Sequence, residues 1–247
     1  MKDSQDAFGH EMWDYFKGRK AYEVIERNDG YIDTSKSSPD LYFAPPRRWP
    51  AVERGAIRYA KGRVLDVGCG AGRVSIYLQD HRHLDVVGMD NSPLAIRVSK
   101  GRGLRKTALV AIQDIHFPAD SFDTIVMFGN NFGLFGSRSR AKRLLRRLHK
   151  IASANALLLA ESNDPYQTDQ PEHLSYHQQN RQKGRMSGQV RIRVRFRRYV
   201  GSWFDYLLVS PEEMKDIAKD TGWVVDRFVR SRGSSLYVGV LSKAPSH

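Results

Sequence analysis

Apolar residues in this chain follow two rhythms that alternate through its middle. Short apolar runs at 64–67, 85–89, 108–112, 122–128 and 156–160 read as buried strands. Between them, apolar positions recur every three or four residues. These segments predict a helix over 72–80, a second opening at Ser92 with Pro93 in its first turn, and a third around 138–151 whose Leu144, Leu145, Leu148 and Ile151 share a face. Such alternation builds an α/β fold with a mostly parallel sheet of about seven strands and helices on both faces.

The two flanks break this rhythm. Ahead of it, 14–26 reads as a helix rich in aromatics, 39–50 as extended or turn-rich, and 52–59 as a short helix. After it, 163–189 reads as a polar loop. Val190, Ile192, Val194 and Phe196 then alternate with Arg191, Arg193 and Arg195, the pattern of a strand with one buried and one wet face. With a partner strand at 201–209 this forms a small antiparallel insertion. Ser210 and Glu213 stand in capping-box spacing before a helix that runs to Gly222, and 223–230 and 235–241 close the chain as strands.

Composition narrows the setting. With 247 residues, 40% of them hydrophobic, the chain is long enough for a single α/β domain with decorations. No apolar segment approaches the roughly 20 residues of a membrane helix, and MKDSQDAFGH lacks the apolar core of a signal peptide. A cytoplasmic location away from membranes is therefore expected. One cysteine offers neither an internal disulfide nor a metal-ligand cluster, so no metal is expected.

The net charge of +13 points toward an anionic substrate, a nucleic acid or mere solubility. One basic block, from Arg138 to Lys150, reads as the solvated face of the third helix. The arginine strand is less ordinary, because no acid stands between Glu172 and Asp205. Two readings stay open for it: guanidiniums that attract phosphates or carboxylates, or an edge strand charged against aggregation.

The chemistry concentrates where the first strand of the alternation ends. Val64, Leu65 and Val67 run into Gly68, Cys69, Gly70, Ala71 and Gly72, which remove side-chain bulk where the chain turns into a helix. The second strand ends at Asp90, placed to accept hydrogen bonds from vicinal ribose hydroxyls. The glycines run G-x-G-x-G, unlike the G-x-G-x-x-G that seats a pyrophosphate. Asp66, two residues before the first glycine, opposes a diphosphate and suits a sulfonium or ammonium.

With these residues the chain resembles the class I S-adenosylmethionine-dependent methyltransferases, a Rossmann-like family, and their small-molecule branch. Asp90, Asn91, Ser92 and Pro93 are similar to the family's second motif. Gln113, Asp114, Ile115, Phe117 and Pro118 are similar to its third, and SFDTIVMF followed by GNNF to its fourth strand and the loop leading to the acceptor. The resemblance implies S-adenosylmethionine as cofactor and S-adenosylhomocysteine as product. It implies that Asp66, Gly68 and Gly70 line the methionine end, Asp90 holds the ribose and Asp114 meets the adenine amine. Cys69, Gly72, Arg73, Asn91, Ile115, Gly129 and Asn130 complete the expected cofactor set.

The division that follows is a helical lid at 1–60, a cofactor core at 61–162, an insertion over the acceptor at 163–209 and a closing helix with strands at 210–247. Tyr15, Tyr42, Trp49, Asn131 and Asn163 are the candidates for touching the acceptor. His173, His177 and Glu161 are the candidates for a general base. GNNF departs from the Asn/Asp-Pro-Pro-aromatic tetrad of enzymes that methylate exocyclic amines of bases. A small-molecule acceptor therefore leads, methylated on O, N or C. The alternatives are RNA or protein methylation through the basic surface, and a non-catalytic module binding S-adenosylmethionine or its product.

Overall fold

The computed structural model describes residues 1–33 and 39–244. From the N-terminus, α1 (Ala7–Phe16) precedes β1 (Val24–Arg27), β2 (Ile32–Asp33) and the short α2 (Asp40–Phe43) and α3 (Ala51–Ala56). The alternating region follows as β3 (Arg63–Val67), α4 (Arg73–Asp80), β4 (Asp85–Asp90), α5 (Pro93–Gly101), β5 (Lys106–Leu109), β6 (Phe122–Met127), α6 (Arg138–Ile151) and β7 (Ala152–Asn163). The rest comprises α7 (Pro171–Gln182), β8 (Gln189–Phe196), β9 (Tyr199–Val200), β10 (Phe204–Leu207), α8 (Pro211–Ala218), β11 (Trp223–Arg230) and β12 (Leu236–Lys243).

Seven strands form a mixed, mostly parallel sheet in the order β11-β12-β7-β6-β3-β4-β5. β4 with β5 and β6 with β7 are parallel, whereas β12 runs antiparallel to both β7 and β11. This is the Rossmann-like α/β architecture that the alternation predicts. A separate antiparallel sheet has the order β10-β8-β1-β2, with β9 paired to β8. No helix among the described residues is long and apolar enough to cross a membrane.

The chain divides into two compact units. The first holds Met1–Trp49, Leu65–Asp114 and Arg191–Phe204; the second holds Pro50–Val64, Ile115–Val190 and Asp205–His247. In the first, α1 packs on α5, and Met12, Ala71 and Val98 form an apolar cluster flanked by Phe8, Trp13, Phe16, Tyr42 and Phe43. Burying a methionine such as Met12 stabilises the fold by about 1.5–3 kcal/mol. Glu11 is also fully buried, with neither oxygen bonded among the described residues. Burial, reinforced by the charge of Glu23, pushes its carboxyl up to about 9, so α1 docks with a neutral acid at pH 7.

In the second unit, α6 buries Leu144, Leu145, Leu148 and Ile151, the face its spacing predicts, and packs on β7 and α8. Its basic face is partly consumed. Arg138 pairs with Asp216, Lys142 Nζ donates to the Lys219 carbonyl at 3.1 Å, and Arg146 Nε donates to the Asp220 carbonyl at 3.0 Å.

Several elements differ from the expectation. The helix predicted over 14–26 ends at Phe16, because Gly18 (φ 73°) turns the chain into the left-handed region just past it. Val24 and Ile25 then join a strand instead. The polar loop predicted over 163–189 contains α7, which buries Tyr176, His177 and Asn180. Its buried face is mostly polar, and Asn180 Nδ2 donates to the carbonyls of Ser187 and Gln189, so hydrophobic periodicity carries no sign of it. β5 ends at Leu109, short of Ile112, which starts a 3-10 turn, and β7 extends the predicted 156–160 at both ends.

The arginine strand is not an edge. β8 lies between β10 and β1, and its guanidiniums find a distant carboxylate. Arg193 grips Glu26 with two bonds of 2.9 Å, and Arg195 adds a third at 2.9 Å. These bonds hold the Glu26 carboxyl below its ordinary range. Arg193 also lies 4.4 Å from the Trp203 ring centre.

The predicted capping box at α8 is complete: Ser210 Oγ accepts the Glu213 N–H at 3.2 Å and Glu213 Oε2 accepts the Ser210 N–H at 2.9 Å. Ser210→Ala should lower stability by about 1 kcal/mol, read as a lower urea midpoint with unchanged slope.

Candidate functional site

The glycine turn follows from a strand that is buried on both faces. Val64, Leu65 and Val67 are fully buried, so the chain leaves the sheet at Gly68 into a narrow bend. Gly68, Gly70 and Gly72 have φ of 72°, 52° and 80°, values that favour glycine. The amides of this turn point into the protein. Gly68 and Cys69 N–H both donate to the Met89 carbonyl at 2.8 and 2.9 Å, Gly70 N–H donates to Asp90 Oδ2 at 2.9 Å, and Gly72 N–H donates to the Cys69 carbonyl at 2.8 Å. A phosphate-binding loop aims such donors at its ligand. Here they are spent internally, and the acids remain.

Asp90 links the turn to the next helix. Its Oδ1 accepts the Ser92 N–H at 2.9 Å, and Ser92 Oγ caps α5 by accepting the Ala95 N–H at 3.0 Å. Burial raises the Asp90 carboxyl above its ordinary range, against the lowering effect of those N–H donors. Ser92 Oγ also donates to Asp6 Oδ2 at 2.9 Å, and Asp6 Oδ1 accepts the Gly9 N–H at 3.0 Å to cap α1. A Cβ on Gly9 would fall 2.4 Å from Asp6 and Ser92 oxygens, so glycine permits this approach. The tether brings the Phe8 ring to 3.7 Å from where a Gly70 Cβ would stand. Asp6 and Phe8 were not among the sequence candidates. The available signal was Asp6 at an N-cap position before an apolar turn.

The other expected cofactor residues are placed as follows. Asp66 is buried and accepts Ser75 Oγ–H at 2.6 Å. Cys69 is buried, its thiol pushed well above its usual value by burial and nearby acids, and its Sγ lies 3.0 Å from where a Gly88 Cβ would sit. It fills space. Arg73 lies 4.8 Å over the ring of Trp49, which is 2% exposed and donates through Nε1 to the Ala44 carbonyl at 2.8 Å. Asn91 and Asp114 are exposed, and Ile115 is buried. Tyr15 donates to Asp40 at 2.6 Å, and Tyr42 donates to Glu23 at 3.2 Å while meeting Phe8 edge-on.

The second unit builds a different cluster at the end of β6. Glu161 is buried, and its two oxygens accept the N–H groups of Gly129 and Asn130, each at 3.1 Å. Burial, then the charge of buried Glu53 and a hydrogen bond to it, raise the Glu161 carboxyl well above its ordinary range. Asn130 sits at φ 63°, and Tyr206 donates its hydroxyl to the Asn130 carbonyl. A Cβ on Gly133 would collide with the Tyr206 ring at 2.2 Å, so Tyr206 and Gly133 fit only as this pair. The Oδ1 atoms of Asn130 and Asn163 are buried without a donor among the described residues. Asn131 opens the short 3-10 helix Asn131–Phe135. Of the histidines, His177 is buried on α7 and His173 Nδ1 lies 3.2 Å from Thr168 Oγ1. Tyr206 was also absent from the sequence candidates.

The seven-stranded Rossmann-like sheet and the acid-flanked glycine turn are both present, as the resemblance to class I methyltransferases implies. Residues 64–154 match the family model of methyltransferase domains. A Bacteroides fragilis S-adenosylmethionine-dependent methyltransferase, solved with S-adenosyl-L-homocysteine, is similar over 99% of this chain and 98% of its own, with TM-score 0.83 and 24% identity. The CcbJ methyltransferase of Streptomyces caelestis covers 99% of this chain and 100% of its own at TM-score 0.64 and 13% identity. The 1,6-didemethyltoxoflavin-N1-methyltransferase of Burkholderia thailandensis covers 79% of each chain at TM-score 0.51 and 14% identity. No curated protein matches the sequence.

Burial pushes the Asp66 carboxyl up to about 6 from 3.8, with the Ser75 hydroxyl and Arg73 pulling it back. Between those values the folded state binds more protons than the unfolded, so this group's contribution to stability falls as pH rises from 3.8 to 6 and is level above. Asp66→Asn should therefore be relatively more stable at neutral pH, the gap opening across that window to about 3 kcal/mol. Parallel urea titrations of both proteins from pH 4 to pH 7.5 check this.

Proposed function

We propose that this protein transfers the methyl group of S-adenosylmethionine to an oxygen, nitrogen or carbon of a small-molecule acceptor. The observation that carries the reading is the glycine turn, whose N–H groups are turned inward while Asp66 and Asp90 flank it. With the N–H groups of Gly68, Cys69, Gly70 and Gly72 spent internally, such a cradle offers a diphosphate little and favours a cationic nucleoside. The residues present fit that group. Each Asp90 oxygen accepts one N–H, and a carboxylate has about four acceptor sites, which leaves capacity for vicinal ribose hydroxyls. Asp114 would meet the adenine amine, and Gly68 and Gly70 the methionine end. Phe8 would shield the turn from water.

Bound S-adenosylmethionine supplies a methyl group on a positively charged sulfur, and displacement from it needs alignment more than proton transfer. The protein's contribution on this reading is positioning. Glu161 spends both oxygens on Gly129 and Asn130 and is assigned to holding the loop after β6, with Tyr206 fixing the same loop through the Asn130 carbonyl. His173 and His177 remain the base candidates for an acceptor that must lose a proton.

The small-molecule acceptor is favoured over RNA because much of the basic surface is already engaged. Glu26 takes Arg193 and Arg195, while Asp216 and carbonyls at 219 and 220 take cations of α6. The same fold also serves an N-methyltransferase of 1,6-didemethyltoxoflavin.

S-adenosylhomocysteine should bind the wild type in calorimetry. Asp90→Ala, checked for an unchanged circular dichroism spectrum, should bind about 30-fold more weakly, the loss of two hydrogen bonds near 1 kcal/mol each. Equal affinity in the two folded proteins, or no binding by the wild type, would reject the reading.

A further inference from the structure

In the first unit, α1 also walls a cavity of about 600 Å³ lined by none of the residues assigned above to cofactor or acceptor. Trp13 and Asp14 line it from the helix, Arg19 from just beyond, and Arg197, Arg198 and Tyr199 from the β8–β9 turn. Asp14 is already committed. Its Oδ1 accepts Arg19 Nε–H at 2.8 Å and its Oδ2 pairs with Arg197 Nη1 at 3.2 Å. Three guanidiniums around one carboxylate leave positive charge uncompensated among the lining side chains. Arg198 donates to the Tyr199 hydroxyl at 3.2 Å and meets no carboxylate among the described residues. Lys17 and Arg97 add to the field, lying 4.8 and 4.3 Å from the Trp13 ring centre.

The turn that delivers these arginines is unusual for its composition. Phe196 pairs with Tyr199, leaving Arg197 and Arg198 as the two residues of the hairpin loop. Arg197 has φ 51°, in the left-handed region where such loops favour glycine or asparagine. Backbone preference alone would not place arginine here. The position brings a guanidinium to the cavity and to Asp14.

Cavities of about 300–1,000 Å³ suit small molecules, and arginine recognises planar oxyanions through paired N–H donors. We propose that this cavity binds a small ring compound carrying an oxyanion, phosphate or carboxylate, held by Arg198 and Arg19 with its ring beside Trp13. The site is independent of the methyl-transfer reading.

Phenyl phosphate and benzoate serve as probes, titrated calorimetrically into the full-length protein at low salt in phosphate-free buffer, with phenol as the uncharged control. At least one anion should bind while phenol does not, and the stronger of the two identifies the head group. Arg198→Ala should weaken that probe at least tenfold with an unchanged circular dichroism spectrum. Arg105→Ala, which removes an equal charge at an exposed pair with Asp80, should leave it unaltered. No binding of either anion, or an equal effect from the two substitutions, would overturn the site. A ten-nucleotide RNA that binds through Arg198 while both small anions fail would replace it with a nucleic-acid surface.

Discussion

The arrangement around the glycine turn depends on where Asp90 sends its two oxygens. One takes the Gly70 N–H and fixes the bend of the glycine turn; the other takes the Ser92 N–H and fixes the start of α5. Burying a carboxylate is unfavourable unless N–H donors meet it, and these two make the ionised form tolerable. Ser92 extends the network to Asp6, so the cap of α5 and the cap of α1 share a contact. A helix near the N-terminus is thereby held beside the turn, with Phe8 next to Gly70.

The loop after β6 follows the same physical logic with different groups. Glu161 takes two backbone N–H donors, as Asp90 does, but its neighbour is a second buried acid, Glu53. Two close carboxyls cannot both ionise cheaply, and the Glu161 carboxyl is raised well above its ordinary range. The loop is held by Glu161 on one side and by the Tyr206 hydroxyl on the other. Such rigidity suits a reaction whose barrier is lowered mainly by alignment.

Net charge is a poor guide to this molecule's surface. The arginine strand appears uncompensated along the chain, yet Glu26 answers two of its guanidiniums from 167 and 169 residues away. The lysines and arginines of α6 are partly absorbed by α8 and the turn after it. Positive charge stays concentrated around Trp13, where Asp14 faces more cations than it can neutralise.

The sequence by itself determined the parallel sheet, the glycine turn, Asp90 and the Ser92 and Ser210 caps. Each of these is written in a few neighbouring residues: periodicity selects strand or helix, glycine permits positive φ, and a hydroxyl two or three places before a free N–H caps it. Only the tertiary structure decided that 24–27 would be a strand, that α7 would form with a polar buried face, and that Asp6, Glu26, Glu53 and Tyr206 would be partners of Ser92, Arg193, Glu161 and Asn130. Those choices pair groups that are distant in sequence. Local pattern fixes the conformation of a segment, whereas the path of the whole chain decides which buried polar groups meet.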